Sequence, residues 1–346
     1  MTHAGGRPMG VLLVNLGTPA SPGVADVRRY LREFLSDPRV IDLPAPARWL
    51  LLRAVILPFR PRRSAQAYAS IWTPGGSPLL VHSRALAEGV GKALGPGYRV
   101  ELAMRYGEPA IPGALDRLDA QGVERVVVLP LFPQYAASSG GSALEAVYRE
   151  AGRRWNVPAL DALPACPEDA GFLRAVAEVA RPELERFRPD HVLLSFHGLP
   201  ERHVRRSDRT GAHCLARADC CDALGPANRD CYRAHCFATA RGLAARLGLP
   251  PERWSVAFQS RLGRTPWIRP YTDLRLPELA RAGVRRLAVA CPSFVADCLE
   301  TLEEIGIRAR AQWRELGGED LLLVPCPNAH PLWVETVAGW IRTRTR

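Results

Sequence analysis

The sequence predicts an α/β protein made of two similar domains, each a parallel sheet covered by helices. Three observations lead there. Apolar runs of strand length alternate with segments of helical periodicity from Met9 almost to the C-terminus. The stretch Val11-Leu-Leu-Val-Asn-Leu-Gly-Thr-Pro19 lines up with Val192-Leu-Leu-Ser-Phe-His-Gly-Leu-Pro200, and the strand from Val126 with its loop echoes the strand from Leu287. A chain of 346 residues, 47% hydrophobic and 23% charged, is long enough for two cores. The repeat suggests two domains facing each other across a cleft. Leu16 and His197 would then hold equivalent places, an apolar group opposite a base.

The elements follow in order. Met9–Leu16 is an unbroken apolar run, a strand closed by Gly17-Thr-Pro19, and Val24–Leu35 carries apolar residues at helical spacing. In 44–61, Trp49-Leu-Leu-Leu52 and Ala54-Val-Ile-Leu57 surround Arg53, with Arg60, Arg62 and Arg63 following. That is either a core-facing helix with a basic edge or a helix that lies on a membrane surface. Gly75-Gly-Ser-Pro78 is a turn in which Ser77 is expected to cap a helix to about Ala93. Tyr98–Tyr106 is a strand, Ile111–Ala120 a helix and Val123–Leu131 a strand. A small-residue loop, 133–141, then leads to a helix ending near Trp155. A weak strand over Ala159–Leu163 and a helix over Glu168–Phe187 precede the strand ending at His197. Beyond a cysteine-rich segment come a helix (Phe237–Leu247), a strand (Trp254–Gln259), a polar loop, and a helix (Leu276–Ala282). A strand (Arg286–Cys291), a helix from near Asp297 to Leu316, a strand (Leu321–Val324) and a last helix (Pro331–Arg342) complete the chain.

The net charge of +11 suits nucleic acid, an anionic membrane surface or an acidic ligand. Lys92 is the only lysine, so the arginine excess looks like codon bias, and the basic residues are scattered rather than striped. Nucleic acid is not expected as a partner. No apolar run reaches the about 18 residues of a spanning helix. The tail Met1–Pro8 lacks the apolar centre of a signal peptide, so a cytoplasmic location is expected. With nine cysteines in a reducing compartment, a disulfide framework is not expected.

Two stretches carry chemistry. His191-Val-Leu-Leu-Ser-Phe-His197-Gly-Leu-Pro200 puts a histidine at the carboxyl end of a strand, where open α/β sheets bind ligands. Cys291-Pro-Ser-Phe-Val-Ala-Asp297-Cys-Leu-Glu300-Thr-Leu-Glu-Glu304 passes from strand to helix with Glu300 and Glu304 on one helix face. Asp297 and Glu300 also have the spacing of a capping box, a purely structural alternative.

Six motifs, in order, resemble those of ferrochelatases: Asn15-Leu-Gly-Thr-Pro19, Gly75-Gly-Ser-Pro78, Pro133-Gln-Tyr135, Ser195-Phe-His-Gly-Leu-Pro200, Phe258-Gln-Ser-Arg-Leu-Gly-Arg-Thr-Pro-Trp267 and Asp297-Cys-Leu-Glu-Thr-Leu302. The resemblance runs from about Met9 to the last helix. It implies insertion of ferrous iron, as substrate, into a porphyrin. It also implies two Rossmann-like domains with parallel four-stranded sheets related by pseudo-twofold symmetry. The expected domains are 1–165 and 166–325, with 326–346 as a C-terminal helix packing back on the first. His197 is implied as the active-site histidine and Glu300 as the carboxylate facing it, both able to hold iron or move protons, with Glu304 continuing a polar path. Leu16, Ser77, Arg105, Tyr106, Phe132, Tyr135 and Trp267 are implied as residues that line or anchor the macrocycle. Arg105 and Tyr106 are each able to hydrogen-bond a propionate. Protoporphyrin IX is favoured over coproporphyrin III, because Asn15–Pro19 and Gln259–Trp267 are more similar to members that use it. The competing readings are a cobalt chelatase and a non-enzymatic iron–sulfur or haem sensor on the same scaffold.

The chain departs from most relatives at 209–231, an internal insertion. Ala212-His-Cys-Leu-Ala of the insertion recurs just after it as Ala234-His-Cys-Phe-Ala. Cys214, Cys220, Cys221, Cys231 and Cys236 could supply the four thiolates of a [2Fe–2S] cluster, as the resemblance to ferrochelatases with an internal cysteine-rich segment implies. Zinc and free thiols are the alternatives. A monomer or homodimer is expected, with peripheral contact to the inner face of the membrane through 44–61.

Overall fold

The computed structural model describes residues 7–263 and 265–345; of the expected Met1–Pro8 tail, Met1–Gly6 lie outside the described residues. The chain divides into two compact units. The first holds the described residues of Met1–Phe132, Ala137–Ala165 and Val334–Arg346, and the second Pro133–Ala136 and Cys166–Trp333.

In the first unit, β1 (Met9–Gly17), β2 (Tyr98–Tyr106), β3 (Arg125–Pro130) and β4 (Ala159–Ala162) form a parallel sheet in the order β2-β1-β3-β4. Val11, Leu12, Leu13 and Val14 are fully buried, as a central parallel strand with both faces covered requires. The covering helices are α1 (Val24–Ser36), α2 (Ala45–Leu50), α3 (Leu57–Ala69), α4 (Pro78–Leu94), α5 (Ile111–Ala120) and α6 (Ser142–Gly152). One cluster packs Ile111, Leu115 and Leu118 of α5 and Ala143, Ala146 and Val147 of α6 against Leu12, Val14, Val126 and Val128.

The second unit repeats the order. β5 (His191–His197), β6 (Trp254–Gln259), β7 (Arg286–Ala290) and β8 (Asp320–Leu323) pair in parallel as β6-β5-β7-β8, so β5 takes the place of β1. Its helices are α7 (Ala170–Phe187), α8 (Glu201–Ser207), α9 (Tyr232–Leu247), α10 (Thr272–Arg281), α11 (Leu299–Thr301), α12 (Arg310–Glu315) and, from Pro331, the start of α13 (Pro331–Thr345). From Val334 onward α13 belongs to the first unit. There Val334 packs on Gly89, and the Tyr98 and Thr345 hydroxyls lie 2.7 Å apart.

The glycines shared by the repeat have one physical cause. A Cβ on Gly17, at φ +121°, would sit 1.9 Å from the Tyr106 carbonyl oxygen. A Cβ on Gly198 would sit 2.8 Å from the Gln259 oxygen, to which the Gly198 N–H donates. In both units the strand ends against the last carbonyl of its neighbour, and only a residue without a side chain fits.

Several expectations change. Ser77 stands at the N-cap of α4, but its side chain does not cap the helix; its oxygen accepts instead from Thr18 Oγ1 at 2.8 Å, and it is buried. Asp297 forms no capping box with Glu300. The N-cap is Cys298, paired reciprocally with Thr301, while Asp297 is held by Thr301, Asn328 and the Cys326 N–H. The helix bearing Glu300 is α only over Leu299–Thr301 and widens to a π-helix over Leu302–Ala309 before α12. The segment 44–61 is helical, but as α2, a π turn over Leu51–Ile56 and α3, and it runs on to Ala69. Leu52 and Leu57 face inward, whereas Trp49 (58% exposed), Leu50, Val55 and Phe59 (76% exposed) face out. The core-facing reading of this helix is therefore incomplete. No helix among the described residues is long and apolar enough to cross a membrane.

Candidate active site

Strand β5 delivers His197 half-buried at its carboxyl end. Its Nδ1 lies 2.6 Å from the Gly198 carbonyl oxygen, which only accepts, so Nδ1 carries the proton. The neutral ring therefore presents an unprotonated Nε2. The imidazole sits between Trp267 and Phe294, with ring centroids 6.5 and 6.3 Å away. Its backbone N–H donates to Ser293 Oγ at 2.9 Å, and its carbonyl accepts from Tyr232 Oη at 2.8 Å.

Behind the histidine lies a buried polar relay. Gln259, the register partner of His197 on β6, accepts from Ser195 Oγ at 2.7 Å and donates to the Glu300 carbonyl at 2.7 Å. The Thr272 hydroxyl lies 2.8 Å from Ser195 Oγ. One amide thus links the strand of His197 to the helix of Glu300. Sequence reasoning did not single out Ser195, Gln259, Thr272, Ser293 or Tyr232 individually. Their signal was available, since Ser195 and Gln259 lie inside motifs that carry the family resemblance.

Glu300 is half-buried on the first turn of that helix, and its carboxylate helps keep the neighbouring Cys298 thiol protonated, after burial itself. Glu304 is already engaged: Oε1 accepts from the Ser260 N–H at 2.8 Å and Oε2 from Ser260 Oγ at 2.6 Å. Ser260 stands at φ +65°, so Glu304 pins the strained turn that leaves β6. Trp267 is fixed over Gly198 through its Nε1 bond to the Leu262 carbonyl at 2.9 Å. Tyr135 follows β3 but packs in the second unit, where its N–H donates to His235 Nδ1 at 3.1 Å.

The remaining expected residues lie in the first unit. Leu16 is half-buried at the end of β1, its N–H held by Asn15 Oδ1 at 2.8 Å. Phe132 is half-buried against the α5–α6 cluster. Arg105 and Tyr106 do bind a carboxylate, but it is that of Asp37. Arg105 Nη2 and Tyr106 Oη reach Asp37 Oδ2 at 2.8 Å each, and Ser142 Oγ reaches it at 2.5 Å. Tyr106 is 1% exposed, and burial followed by the Asp37 charge pushes its phenol far above the usual range. Tyr106 is thus held as a buried partner of Asp37.

The five clustered cysteines are all buried and free. The Sγ atoms of Cys220 and Cys221 are 3.7 Å apart, and the Cys231 thiol touches those of Cys214 and Cys221. Arg233 Nη1 donates to Cys221 Sγ at 3.1 Å, and Asp208 gathers the His213 and Cys214 N–H groups at 2.8 and 2.7 Å. This donor set fits an anionic metal–thiolate group in number, burial and compensating charge. Its aim is different: among the described residues no three His, Cys, Asp or Glu side chains are arranged to hold a metal ion.

Two parallel four-stranded sheets of one topology, with a histidine at a strand end, define a protein of the chelatase fold. Solved structures agree. SirB from Bacillus subtilis with Fe3+ matches with a TM-score of 0.53 at 14% identity, over 97% of this chain and 94% of that one. At that identity the likeness shows the fold alone. The ferrochelatase family profile matches residues 8–345, and the chain belongs to that family. It is 54% identical over 331 residues to the ferrochelatase of Stutzerimonas stutzeri (94% of this chain, 95% of that one). It is 53% identical over 337 residues to that of Azotobacter vinelandii (96% and 98%). With that of Coxiella burnetii strain CbuG_Q212 it shares 50% over 330 residues (95% and 92%).

Proposed function

We propose that the chain inserts Fe2+ into protoporphyrin IX, releasing two pyrrole protons, and that His197 and Glu300 carry the step. The observation behind this reading is the His197 ring itself: its Nδ1 proton is committed to Gly198, which makes Nε2 the nitrogen with the free lone pair in the neutral ring. Nε2 either takes a pyrrole proton or holds the incoming iron, and Glu300 accepts the second proton or shares the metal. Trp267 stands beside His197, its ring tilted to the imidazole, as an apolar wall. Leu16, Phe132 and Tyr135 line the macrocycle, and Ser77 and Arg105 contribute through the Thr18 and Asp37 contacts they already make. Glu304 acts by holding the β6 turn. The functional domains are 1–165 and 166–325, with 326–346 closing on the first.

The test is an iron-insertion assay on protoporphyrin IX and coproporphyrin III, with wild type and His197→Ala side by side. Faster turnover of protoporphyrin IX and a loss of at least about 100-fold in the variant are expected. Normal rates in His197→Ala would refute the mechanism.

The insertion is proposed to carry a [2Fe–2S] cluster on Cys214, Cys231, Cys236 and one of Cys220 and Cys221. Five buried thiols close in space, the Cys231 thiol touching those of Cys214 and Cys221, with Arg233 as counter-charge, support it. When bound, such a group supplies one-electron chemistry and a cross-link. The thiols now pair with one another and must turn toward a common point to hold it. An as-purified protein that is colourless and free of iron would end this reading. The exposed Trp49, Leu50, Val55 and Phe59 beside arginines support peripheral contact with an anionic membrane surface, from the cytoplasmic side.

A further inference from the structure

We infer that Tyr232 is a positioning residue for His197, and that it suspends the active-site peptide from the helix that follows the cysteine-rich insertion. The inference rests on the reading of His197 as the working histidine. Tyr232 is the first residue of α9, directly after Cys231. Its ring is buried, and its hydroxyl donates to the His197 carbonyl at 2.8 Å across 35 residues of chain. On the other side of the same residue, the His197 N–H donates to Ser293 Oγ at 2.9 Å. The Tyr232 hydroxyl also reaches Ser293 and the Cys236 thiol.

His197 is thus gripped through both of its backbone polar groups, by a hydroxyl from α9 and another from the loop after β7. The grip matters because the His197 side chain is tethered locally. Nδ1 bonds to the carbonyl of the next residue, Gly198. The His197 carbonyl lies on the peptide that joins these two residues, so a tilt of that peptide changes the backbone torsions that aim the Gly198 carbonyl, the acceptor that selects the ring tautomer. The last strand pairing of β5 cannot do this work alone: β7 pairs with β5 only as far as Leu194, three residues before the histidine. On that flank Ser293 and Tyr232 replace the missing ladder. The insertion gains a route to the chemistry, since α9 carries both Tyr232 and Cys236 and is preceded directly by Cys231.

The test is Tyr232→Phe, which keeps the ring and deletes one donor. Steady-state kinetics should show kcat reduced by about tenfold, with KM for porphyrin and for Fe2+ within about twofold of wild type. The signature that a purely structural role would not produce is in the ring itself. With 15N-labelled histidine, the His197 resonances, assigned by their absence in His197→Ala, should report the Nδ1–H tautomer in wild type and a mixed population in the variant. Ser293→Ala releases the opposite side and should shift the same resonances; it carries the test if Tyr232→Phe does not fold. Unchanged kcat and an unchanged tautomer in a folded variant would overturn the proposal, even if its melting temperature fell. The controls separate the two ideas. An inactive His197→Ala with a fully active Tyr232→Phe defeats the positioning role alone, whereas an active His197→Ala defeats the reading on which it rests.

Discussion

Replacing Asp37 by Asn removes one charge from a site where several donors converge. Oδ2 accepts from Arg105 Nη2, Tyr106 Oη and Ser142 Oγ, and Oδ1 accepts from the Arg39 N–H at 2.7 Å. The Asp37 side chain is 3% exposed and that of Arg105 is 12%, so water cannot replace the lost partner. In the amide, one oxygen must serve donors that used two, and the NH2 group points at other donors. Breaking a buried pair in this way costs about 3–5 kcal/mol. Arg105 keeps its bonds to the Ser142 carbonyl and hydroxyl, which places the expected loss near the lower end. A loss of ~3 kcal/mol corresponds to a melting temperature lower by ~6–12 °C. The pH dependence adds a second check. Burial pushes the Asp37 carboxyl up, but hydrogen bonds from Ser142, the Arg39 N–H and Tyr106, with the Arg105 charge, outweigh it and hold the group below its ordinary value. A folded pKa below the unfolded one means stability that is present above about pH 4 and lost as the pH falls through the folded value. The gap between wild type and Asp37→Asn, measured by thermal and urea unfolding, should therefore be widest near neutrality and narrow in acid. A variant melting within about 1 °C of wild type at pH 7 would show that Arg105, Tyr106 and Ser142 do not depend on this carboxylate.

Other outcomes follow from the same geometry. Gly17→Ala should cost about 3 kcal/mol or more in urea unfolding, because its Cβ would meet the Tyr106 carbonyl at 1.9 Å; a neutral effect would mean that β1 and β2 separate easily at this end. Glu300→Gln should lower kcat/KM for Fe2+ by about 100-fold while porphyrin binding, read by fluorescence quenching, stays within about twofold. A matching loss of porphyrin affinity would move Glu300 out of the metal path. Trp49→Ser with Phe59→Ser should abolish sedimentation with anionic vesicles and leave the melting temperature within about 2 °C, since both side chains face outward; retained binding would exclude this face as the contact.

The strands were legible because a fully buried parallel strand is a local signal. His191–His197 and Trp254–Gln259 can be read from their apolar runs and Tyr98–Tyr106 from its alternation, and the shared Gly17 and Gly198 announce the repeat. Helix ends were less legible: α10 begins at Thr272 rather than near Leu276, because Thr272 is fixed through Ser195 on β5, a contact that the local pattern does not contain. The short helix α8 and the π segments after Leu50 and Thr301 carry no period that distinguishes them from ordinary turns or α-helix.

The sequence by itself determined the fold class, the strand that ends in His197, the family, and the chemistry that a histidine and a carboxylate can offer. Only the tertiary structure decided who holds whom. It gave Arg105 and Tyr106 to Asp37, Glu304 to Ser260, and His197 to Tyr232 and Ser293. Those choices join residues 35 to 96 positions apart. A donor in a sequence shows what it can bind, but its partner is set by which acceptor the packed sheets and helices bring within about 3 Å and hide from water.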